Sequence, residues 1–351
     1  MVIKSSNKNT KEDAKVYSIP ENKDSRIISE KNIDSNEDST EYSLRPKRLS
    51  EFIGQESIKN HLWVAIKSAQ IRQTPVEHIL FYGPPWLWKT TLSNIIARES
   101  EALFKQTSWP AIEKQSDLVS LLTGLEEWSL LFIDEIHRIR PQIEEILYGA
   151  MEDKTVDIMV GTWAGATSVI MKIAPFTLVG ATTKLSKLTW PLRDRFGHIC
   201  KLELYNNKEL EFIIARSADI LNIELDKKEI EEVAKRSRWT PRIANRLTKI
   251  IRDYILVHWS TKEAWWVITI FNNVWIDEVW LDNLDRKLLQ DLNTKFAWWP
   301  VWINTLSAIL WEEASTIEEV VEPYLLKIWF IERTPRWRKI TRLWESYILW
   351  M

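Results

Sequence analysis

The chain has 351 residues, enough for two or three domains, and its 27% charged and 45% hydrophobic residues are the balance of a soluble globular protein. Its formal net charge is −2, so any contact with nucleic acid must depend on a local basic patch. Cys200 is the only cysteine, which excludes an internal disulfide and fits a reducing cytoplasm. No apolar run is long enough to span a membrane, and the N-terminal residues lack the pattern of a signal peptide. We therefore expect a cytoplasmic protein.

The first 40 residues are mostly Lys, Asn, Asp, Glu and Ser, a composition that predicts no fixed structure. Apolar runs at 78–82, 129–134 and 176–180 predict buried strands, and 90–101 predicts a helix after the first of them. Parallel strands linked by helices, with polar groups at their carboxyl ends, indicate a doubly wound α/β core.

The second half of the chain changes character. Residues from 208 to about 259 are predicted to be wholly helical. From 281 onward, three short helices precede a hairpin of 330–333 and 338–341. Helices followed by a β wing are typical of a winged-helix DNA-binding module.

The glycine and tryptophan counts are abnormal: the chain has 8 Gly and 21 Trp. Glycine usage averages about 7%, and the two counts together make about 8% of the chain. Many tryptophans stand where turns need glycine, as in Trp298-Trp299-Pro300-Val301-Trp302. Some genetic codes read UGA as glycine and others as tryptophan, so we predict that many of these positions are glycine in the native protein. A truly tryptophan-rich protein is the alternative, but the tryptophans follow no helical or strand period.

Residues 83–91 read Gly83-Pro84-Pro85-Trp86-Leu87-Trp88-Lys89-Thr90-Thr91, the spacing of a nucleotide-binding P-loop. Such a loop needs glycine where this chain has Trp86 and Trp88, because the backbone must turn tightly and approach phosphate oxygens. Indoles there would fill the space of the phosphates. Lys89 is predicted to bind the β- and γ-phosphates and Thr90 to ligate Mg²⁺.

Asp134 and Glu135 follow the second apolar strand directly. Alone, such a pair is typical of a solvated strand end. Paired with the P-loop, it predicts a metal anchor at Asp134 acting through water, and at Glu135 a group that orients or deprotonates the attacking water.

Several further motifs lie in order from about Tyr42 to the C-terminus. With the P-loop, they are Leu44-Arg45-Pro46-Lys47, Phe52-Ile53-Gly54-Gln55, Phe132 to Arg138, Gly180-Ala181-Thr182-Thr183, Pro191 to Gly197, Thr240 to Ala244, Asp285-Arg286-Lys287, Glu322-Pro323-Tyr324-Leu325 and Arg333-Thr334-Pro335-Arg336. Together these segments resemble the RuvB family of AAA+ ATPases. The family has glycine at Trp86, Trp88, Trp109, Trp239, Trp298, Trp299, Trp302, Trp329 and Trp337, which agrees with the prediction from composition.

The resemblance implies an α/β AAA+ P-loop core at 41–205 after a polar extension at 1–40. It implies an all-α lid domain at 206–275 and a winged-helix domain at 276–351. The expected function is an ATP-driven motor for branch migration of Holliday junctions, working as a homohexameric ring in recombination and repair. The alternative is an ATPase-dead scaffold that binds DNA or RuvA, which would hold if Trp86 and Trp88 are real. A clamp-loader-like protein is a further alternative, against which the winged helix and the long hairpin argue.

The resemblance also implies site residues, with ATP and Mg²⁺ as cofactors. The implied ATP contacts are Leu44, Arg45, Gly83, Trp86, Trp88, Lys89, Thr90, Thr91, Glu152, Asp153, Lys154, Thr182, Thr183, Arg195, Tyr205 and Arg242. The implied catalytic residues are Lys89, Asp134, Glu135 and Arg195, with Thr90 and Asp134 as metal ligands. Arg195 resembles an arginine finger given to the neighbouring subunit, Thr182 or Thr183 a γ-phosphate sensor, and Arg242 a second sensor on the lid.

Partners are implied in the same way. The hairpin 156–170 resembles the arm that docks RuvA, and RuvC is expected in the full complex. Arg333, Arg336 and Arg338 of the wing are expected to contact the phosphates of double-stranded DNA. Ala314 stands where many relatives carry an arginine for DNA.

Overall fold

The computed structural model describes residues 42–160, 167–257, 266–273, 279, 281, 283–296, 299–334 and 336–350. The predicted extension at 1–40 lies outside these residues, as do the tip of the hairpin at 161–166 and Trp298. All structural statements below concern the described residues.

The strands, in chain order, are β1 Ile79–Tyr82, β2 Phe104–Ser108, β3 Ser129–Asp134, β4 Thr155–Val160, β5 Thr167–Lys172, β6 Phe176–Thr182, β7 His198–Lys201, β8 Val301–Trp302, β9 Ile331–Arg333 and β10 Trp337–Ile340. The helices are α1 Glu56–Arg72, α2 Lys89–Glu99, α3 Gln115–Thr123, α4 Pro141–Glu152, α5 Trp190–Asp194, α6 Asn207–Leu221, α7 Lys227–Lys235, α8 Pro241–Val257, α9 Trp266–Asn273, α10 Asn283–Thr294, α11 Ile303–Leu310, α12 Ala314–Thr316, α13 Glu322–Lys327 and α14 Arg342–Trp350.

A five-stranded parallel sheet forms the centre of the first domain, in the order β2-β3-β6-β1-β7. Its middle strands are buried on both faces, which explains their continuous apolar sequences. Ile79 and Phe81 pack with α1 and α2 on one face, whereas Leu80 packs with α3 and α4 on the other. The predicted doubly wound α/β core is confirmed, and its carboxyl edge brings together the ends of β1, β3 and β6.

The sequence did not predict two strands of this sheet, β2 and β7. β2 is largely exposed or half-buried, and β7 has a buried position only at Cys200. Both strands lie at the edges of the sheet, where one side lacks a strand neighbour. Edge strands carry mixed polar and apolar residues, so they lack the apolar run that identified β1, β3 and β6.

β4 and β5 form a separate antiparallel pair, with Thr155 opposite Lys172 and Val160 opposite Thr167. Val169, Ile170 and Met171 of β5 are 43%, 68% and 40% exposed. The predicted hairpin is therefore present, and it carries apolar side chains into solvent.

The lid consists of α6 to α9, and its apolar residues continue the core on the α1–α2 face of the sheet. Asn206 and Asp226 cap α6 and α7 through paired side-chain hydrogen bonds with Glu209 and Glu229. The predicted helical region is confirmed. None of the described helices combines the length and apolarity needed to cross a membrane.

The winged-helix domain has its own hydrophobic core and a three-stranded antiparallel sheet in the order β8-β10-β9. Between α12 and α13, Ile317–Val321 forms a π-helical turn, so residues 314–327 make one helical segment, here called the junction helix. π-Helical turns are rare in proteins, but those that occur are often found at functional sites. The β wing predicted at 330–333 and 338–341 corresponds to β9 and β10.

Candidate active site

The P-loop begins where β1 ends, between the ends of β6 and β7. The Gly83 amide donates a hydrogen bond to the Thr182 carbonyl over 3.2 Å. Gly83 has φ +148°, and a Cβ built on it would lie 2.4 Å from the Leu202 carbonyl oxygen. Only glycine fits there, so the first glycine of the motif has a steric reason.

Trp86 and Trp88 have φ values of 66° and 60°, both in the left-handed region. A left-handed residue with a side chain costs roughly 1–2 kcal/mol, whereas glycine adopts this conformation freely. Successive left-handed and right-handed residues point backbone N–H groups into one concavity that binds anions. The backbone at these two positions is therefore that of a phosphate-binding glycine loop.

Left-handed tryptophans recur through the chain. Of 13 described non-glycine residues with positive φ, six are tryptophan: Trp86, Trp88, Trp128, Trp239, Trp311 and Trp329. Bulky residues rarely adopt this conformation, and Asn or Asp would be the usual substitutes for glycine. The conformations thus support the prediction that glycine belongs at these positions.

The indole of Trp88 lies in the interior of the nucleotide-binding region. Its ring centroid is 6.0 Å from that of Phe52 and 6.4 Å from that of Tyr205. The Tyr205 hydroxyl is buried and has no hydrogen-bond partner among the described residues. A buried polar group without a partner is costly, so a ligand atom is a fitting partner once the indole is absent. A nucleotide fits the backbone and the surrounding residues but does not fit the two indoles.

Asp134 ends β3, and Glu135 follows it in a left-handed conformation with φ 48°. The Glu135 amide donates to Asp134 Oδ1 over 3.0 Å. Burial, and the negative charge of Glu135, raise the pKa of Asp134 above its ordinary value. Burial alone would raise the pKa of Glu135, but the hydrogen bond with His137 and the charge of Lys89 lower it below its ordinary value. Glu135 is therefore ionised near neutral pH and can accept a proton.

Three contacts from two residues fix the Glu135 carboxylate. The Thr183 amide and hydroxyl donate to Oε2 over 3.3 and 3.2 Å, and His137 Nδ1 lies 3.1 Å from the same oxygen. The Thr182 hydroxyl is buried instead, 2.9 Å from His137 Nδ1. Thr183 is thus the threonine that faces the carboxylate, which distinguishes the two sensor candidates. His137 orders this turn through its contacts with Glu135 and Thr182.

Lys89 and Thr90 open α2 beside these groups. Lys89 is only 9% exposed, and its charge acts on both Asp134 and Glu135. Desolvating an ammonium is costly unless anionic groups face it, and a phosphate would complete that environment. The structure brings the P-loop and the two acidic residues into one site.

Arg195 lies in a second cluster. It donates to the Pro191 carbonyl over 2.8 Å and to Glu152 Oε2 over 3.1 Å, and its guanidinium lies 4.6 Å from the ring centroid of Tyr148. Asp153 and Lys154 follow Glu152 directly and are exposed. None of these partners belongs to the P-loop. The structure therefore groups the predicted residues Glu152, Asp153, Lys154 and Arg195 with one another rather than with Lys89.

The remaining nucleotide candidates lie around the lid. Leu44 is buried, and its carbonyl accepts a hydrogen bond from Arg216 of α6 over 2.8 Å. Arg45 is half-buried beside it. Arg242 is exposed on the first turn of α8. These contacts tie the N-terminal segment to the lid.

The wing requires a correction. Arg338, predicted to contact DNA, is 2% exposed and donates to the carboxylates of Glu322 and Glu318, the latter over 3.0 Å. A guanidinium enclosed by two carboxylates is unavailable to a phosphate, so Arg338 supports the wing from inside. Arg333 is 42% exposed and pairs with Glu322 over 3.0 Å. Arg336 is exposed at the hairpin turn and forms no ion pair with a described residue.

Two residues of this network were absent from the predicted site. Glu318 and Glu322 lie on the junction helix, and Glu322 is fully buried. Acidic residues on a helix are usually solvated, so no local sequence signal identifies them as partners of the wing.

Three family models match the chain. The Holliday junction DNA helicase RuvB P-loop domain matches residues 44–202, the RuvB AAA lid domain matches 205–263, and the RuvB C-terminal winged helix domain matches 278–347.

Solved structures are also similar to this chain. Thermotoga maritima RuvB, titled a Holliday junction branch migration motor, is 43% identical with a TM-score of 0.79, covering 88% of this chain and 98% of that one. Two point variants of that protein match with 44% identity and a TM-score of 0.80, and with 43% identity and a TM-score of 0.78. Each covers 87% of this chain and 98% of its own.

Proposed function

Because this chain belongs to the RuvB family, we propose that it is the ATP-driven motor of Holliday junction branch migration, and that its working form carries glycine at positions 86 and 88. The observation that carries the proposal is the left-handed backbone at both positions of a P-loop that faces Lys89, Asp134 and Glu135. That backbone is suited to phosphate, whereas the two indoles are not.

In this proposal the chain's own groups divide the work of hydrolysis. The loop amides and Lys89 hold phosphate oxygens, while Thr90 and Asp134 hold the metal. Glu135 orients a water and takes its proton on the carboxylate whose Oε2 Thr183 holds in place. When bound, ATP with Mg²⁺ supplies the phosphoanhydride bond whose cleavage drives movement.

The Arg195 cluster completes the site of a neighbouring subunit. Arg195 forms its ion pair with Glu152 rather than with a residue of the P-loop. A guanidinium supplied across a subunit interface can stabilise the charge of the transition state. We therefore propose a homohexameric ring in which each site takes Arg195 from the next subunit, with Glu152, Asp153 and Lys154 at the same interface. Leu44, Arg45, Tyr205 and Arg242 would contact the nucleotide from the lid side.

DNA contact is assigned to the exposed cations of the wing. Arg336 and Arg333 are placed to follow a phosphate backbone without reading bases, as a motor on arbitrary sequence requires. The exposed apolar residues of β5 are assigned to RuvA, since consecutive exposed apolar side chains on an extended hairpin favour a partner surface. RuvC would join through the assembled complex.

A second candidate function follows if the protein carries tryptophan at positions 86 and 88, as its sequence reads. If Trp86 and Trp88 are present in the native protein, their indoles obstruct the phosphate site and the chain is an ATPase-dead scaffold. The position of the Trp88 ring between Phe52 and Tyr205 favours that outcome for the tryptophan form.

The deciding experiment is the mass of peptides spanning residues 79–98 from the native host. Glycine at both positions is expected, and two tryptophans would reject the ATPase. The full chain, with the residues that this measurement finds, is then assayed for ATP hydrolysis with a synthetic four-way DNA junction. We expect turnover that Lys89→Ala abolishes, and retained turnover in that variant would reject the P-loop assignment.

A further inference from the structure

The junction helix meets all three domains. Its Tyr324 ring lies 4.3 Å from the guanidinium of Arg238 in the lid. Its Val320 and Pro323 line a cleft together with Pro84 and Pro85 of the P-loop. The helix also provides the carboxylates that hold Arg333 and Arg338 of the wing. One element therefore touches the nucleotide loop, the lid and the candidate DNA-binding hairpin.

One ion pair links this helix directly to the segment that follows β6. Lys184 Nζ lies 3.8 Å from Glu318 Oε2, and the two side chains are 19% and 31% exposed. Lys184 comes immediately after Thr183, and its amide donates to the Thr182 hydroxyl over 3.0 Å. The residue that holds Glu135 and the residue that reaches the winged helix are therefore consecutive in the chain.

The other carboxylate oxygen of Glu318 contacts cations of the wing. Oε1 accepts from Arg338 over 3.0 Å and lies 4.0 Å from Arg333. Glu318 thus stands between a cation of the ATPase domain and two cations of the β wing. Glu318 itself lies in the π-helical turn Ile317–Val321. A π-helical turn is less regular than an α-helix, which makes this a place where the helix can change its hydrogen-bonding pattern.

We propose that Lys184 and Glu318 are positioning residues that couple the nucleotide site to the wing, a role that rests on the motor function proposed above. A shift of Thr183 that follows the state of Glu135 moves Lys184, and Glu318 passes that shift to Arg333 and Arg338. By linkage the coupling is reciprocal: DNA on the wing alters the nucleotide site as much as the nucleotide alters the affinity for DNA.

The test uses the full chain, with the residues that the peptide masses find at positions 86 and 88, and compares Lys184→Met with Lys184→Arg as the conservative variant. Lys187→Met is the matched control, because Lys187 is an exposed lysine three residues away on the same turn. Each protein is assayed for ATP hydrolysis with and without a synthetic four-way DNA junction. The ratio of the two rates measures the coupling. Junction affinity is measured with ADP and with a nonhydrolysable ATP analogue.

In Lys184→Met we expect the stimulation ratio to fall by about two- to fivefold, the range for one partly exposed ion pair. The difference in junction affinity between the two nucleotides should shrink by a similar factor. The basal rate and the melting temperature should stay unchanged, while Lys184→Arg and Lys187→Met keep full stimulation.

Two results would overturn the inference and leave the motor function standing. One is full stimulation in Lys184→Met. The other is an equal loss of basal and stimulated rates, which would mean that Lys184 only supports the segment of Thr182 and Thr183 at the end of β6. Absence of stimulation in the unaltered protein would instead reject the motor function, and the coupling with it.

Discussion

At the scale of single residues, the left-handed tryptophans show which backbone conformation the fold requires at a position, whatever side chain stands there. Trp311 ends α11 with φ 59° and is 89% exposed, so its indole makes little packing contribution. The position is that of a helix-terminating glycine. Its conformation therefore reports what the fold requires, independently of any ligand.

For the chain produced with tryptophan throughout, we predict that Trp311→Gly raises the free energy of unfolding by about 0.5–1 kcal/mol. Relief of left-handed strain, roughly 1–2 kcal/mol, outweighs the greater freedom of glycine in the unfolded state, up to about 1 kcal/mol. Denaturant titration measures the change. Trp190→Gly is the control, because Trp190 is 70% exposed but begins helix α5 without a positive φ. Stabilisation by Trp190→Gly as well would contradict the argument from backbone strain.

The candidate site residues were predictable because their signals are local. Asp134 ends a buried apolar strand, Thr183 directly follows another, and Lys89 begins the helix after a third. Parallel strands place such residues at one edge of the sheet. The choice between Thr182 and Thr183 needed the structure, since alternation assigns opposite directions to the two side chains without saying which faces Glu135. The positive φ values likewise required coordinates.

At the scale of elements, the wing shows where alternation in sequence is ambiguous. A two-residue period predicts that Arg336 and Arg338 share a face of an extended strand. In the structure Arg336 lies in the turn, whereas Arg338 pairs with Val301 and Arg333 inside the sheet. The carboxylates that neutralise Arg338 come from a helix 16 and 20 positions earlier in the chain. No local pattern could have supplied that pairing.

Arg336 and Arg338 should therefore respond oppositely to substitution. Arg338→Met leaves Glu322 buried without its main partner, and we expect a loss of about 3–5 kcal/mol in unfolding free energy. Arg336→Ala should leave stability unchanged but weaken duplex DNA binding, with the slope of affinity against salt reduced by about 1. Calorimetry and salt-dependent binding titrations check the pair. A stable Arg338→Met protein with weakened DNA binding would restore Arg338 as a DNA contact.

At the scale of the whole molecule, the residues of the proposed active site lie in two clusters. Lys89 and Glu135 lie in one, and Arg195 with Glu152 in the other. If a ring brings the second cluster to the first of the next subunit, then defects in different clusters complement each other.

We predict that Lys89→Ala and Arg195→Ala proteins are each nearly inactive alone, with Arg195→Ala slowed by about 10³-fold or more. Mixing them should restore turnover, because some interfaces then join an intact P-loop from one chain with an intact Arg195 from the other. ATPase assays at varied mixing ratios measure this. A mixture no more active than its components would mean that Arg195 acts within its own chain.

Cys200 gives the molecule an experimental advantage. It is the only cysteine of the chain, it is 6% exposed in β7, and burial raises the pKa of its thiol to about 11. The thiolate is the reactive form, so near neutral pH this side chain is a poor target for maleimides and alkyl halides. Cysteines introduced on the lid and on the wing can therefore carry fluorophores without first removing the native thiol. The distance between the lid and the winged-helix domain then becomes a quantity that single molecules can report during turnover.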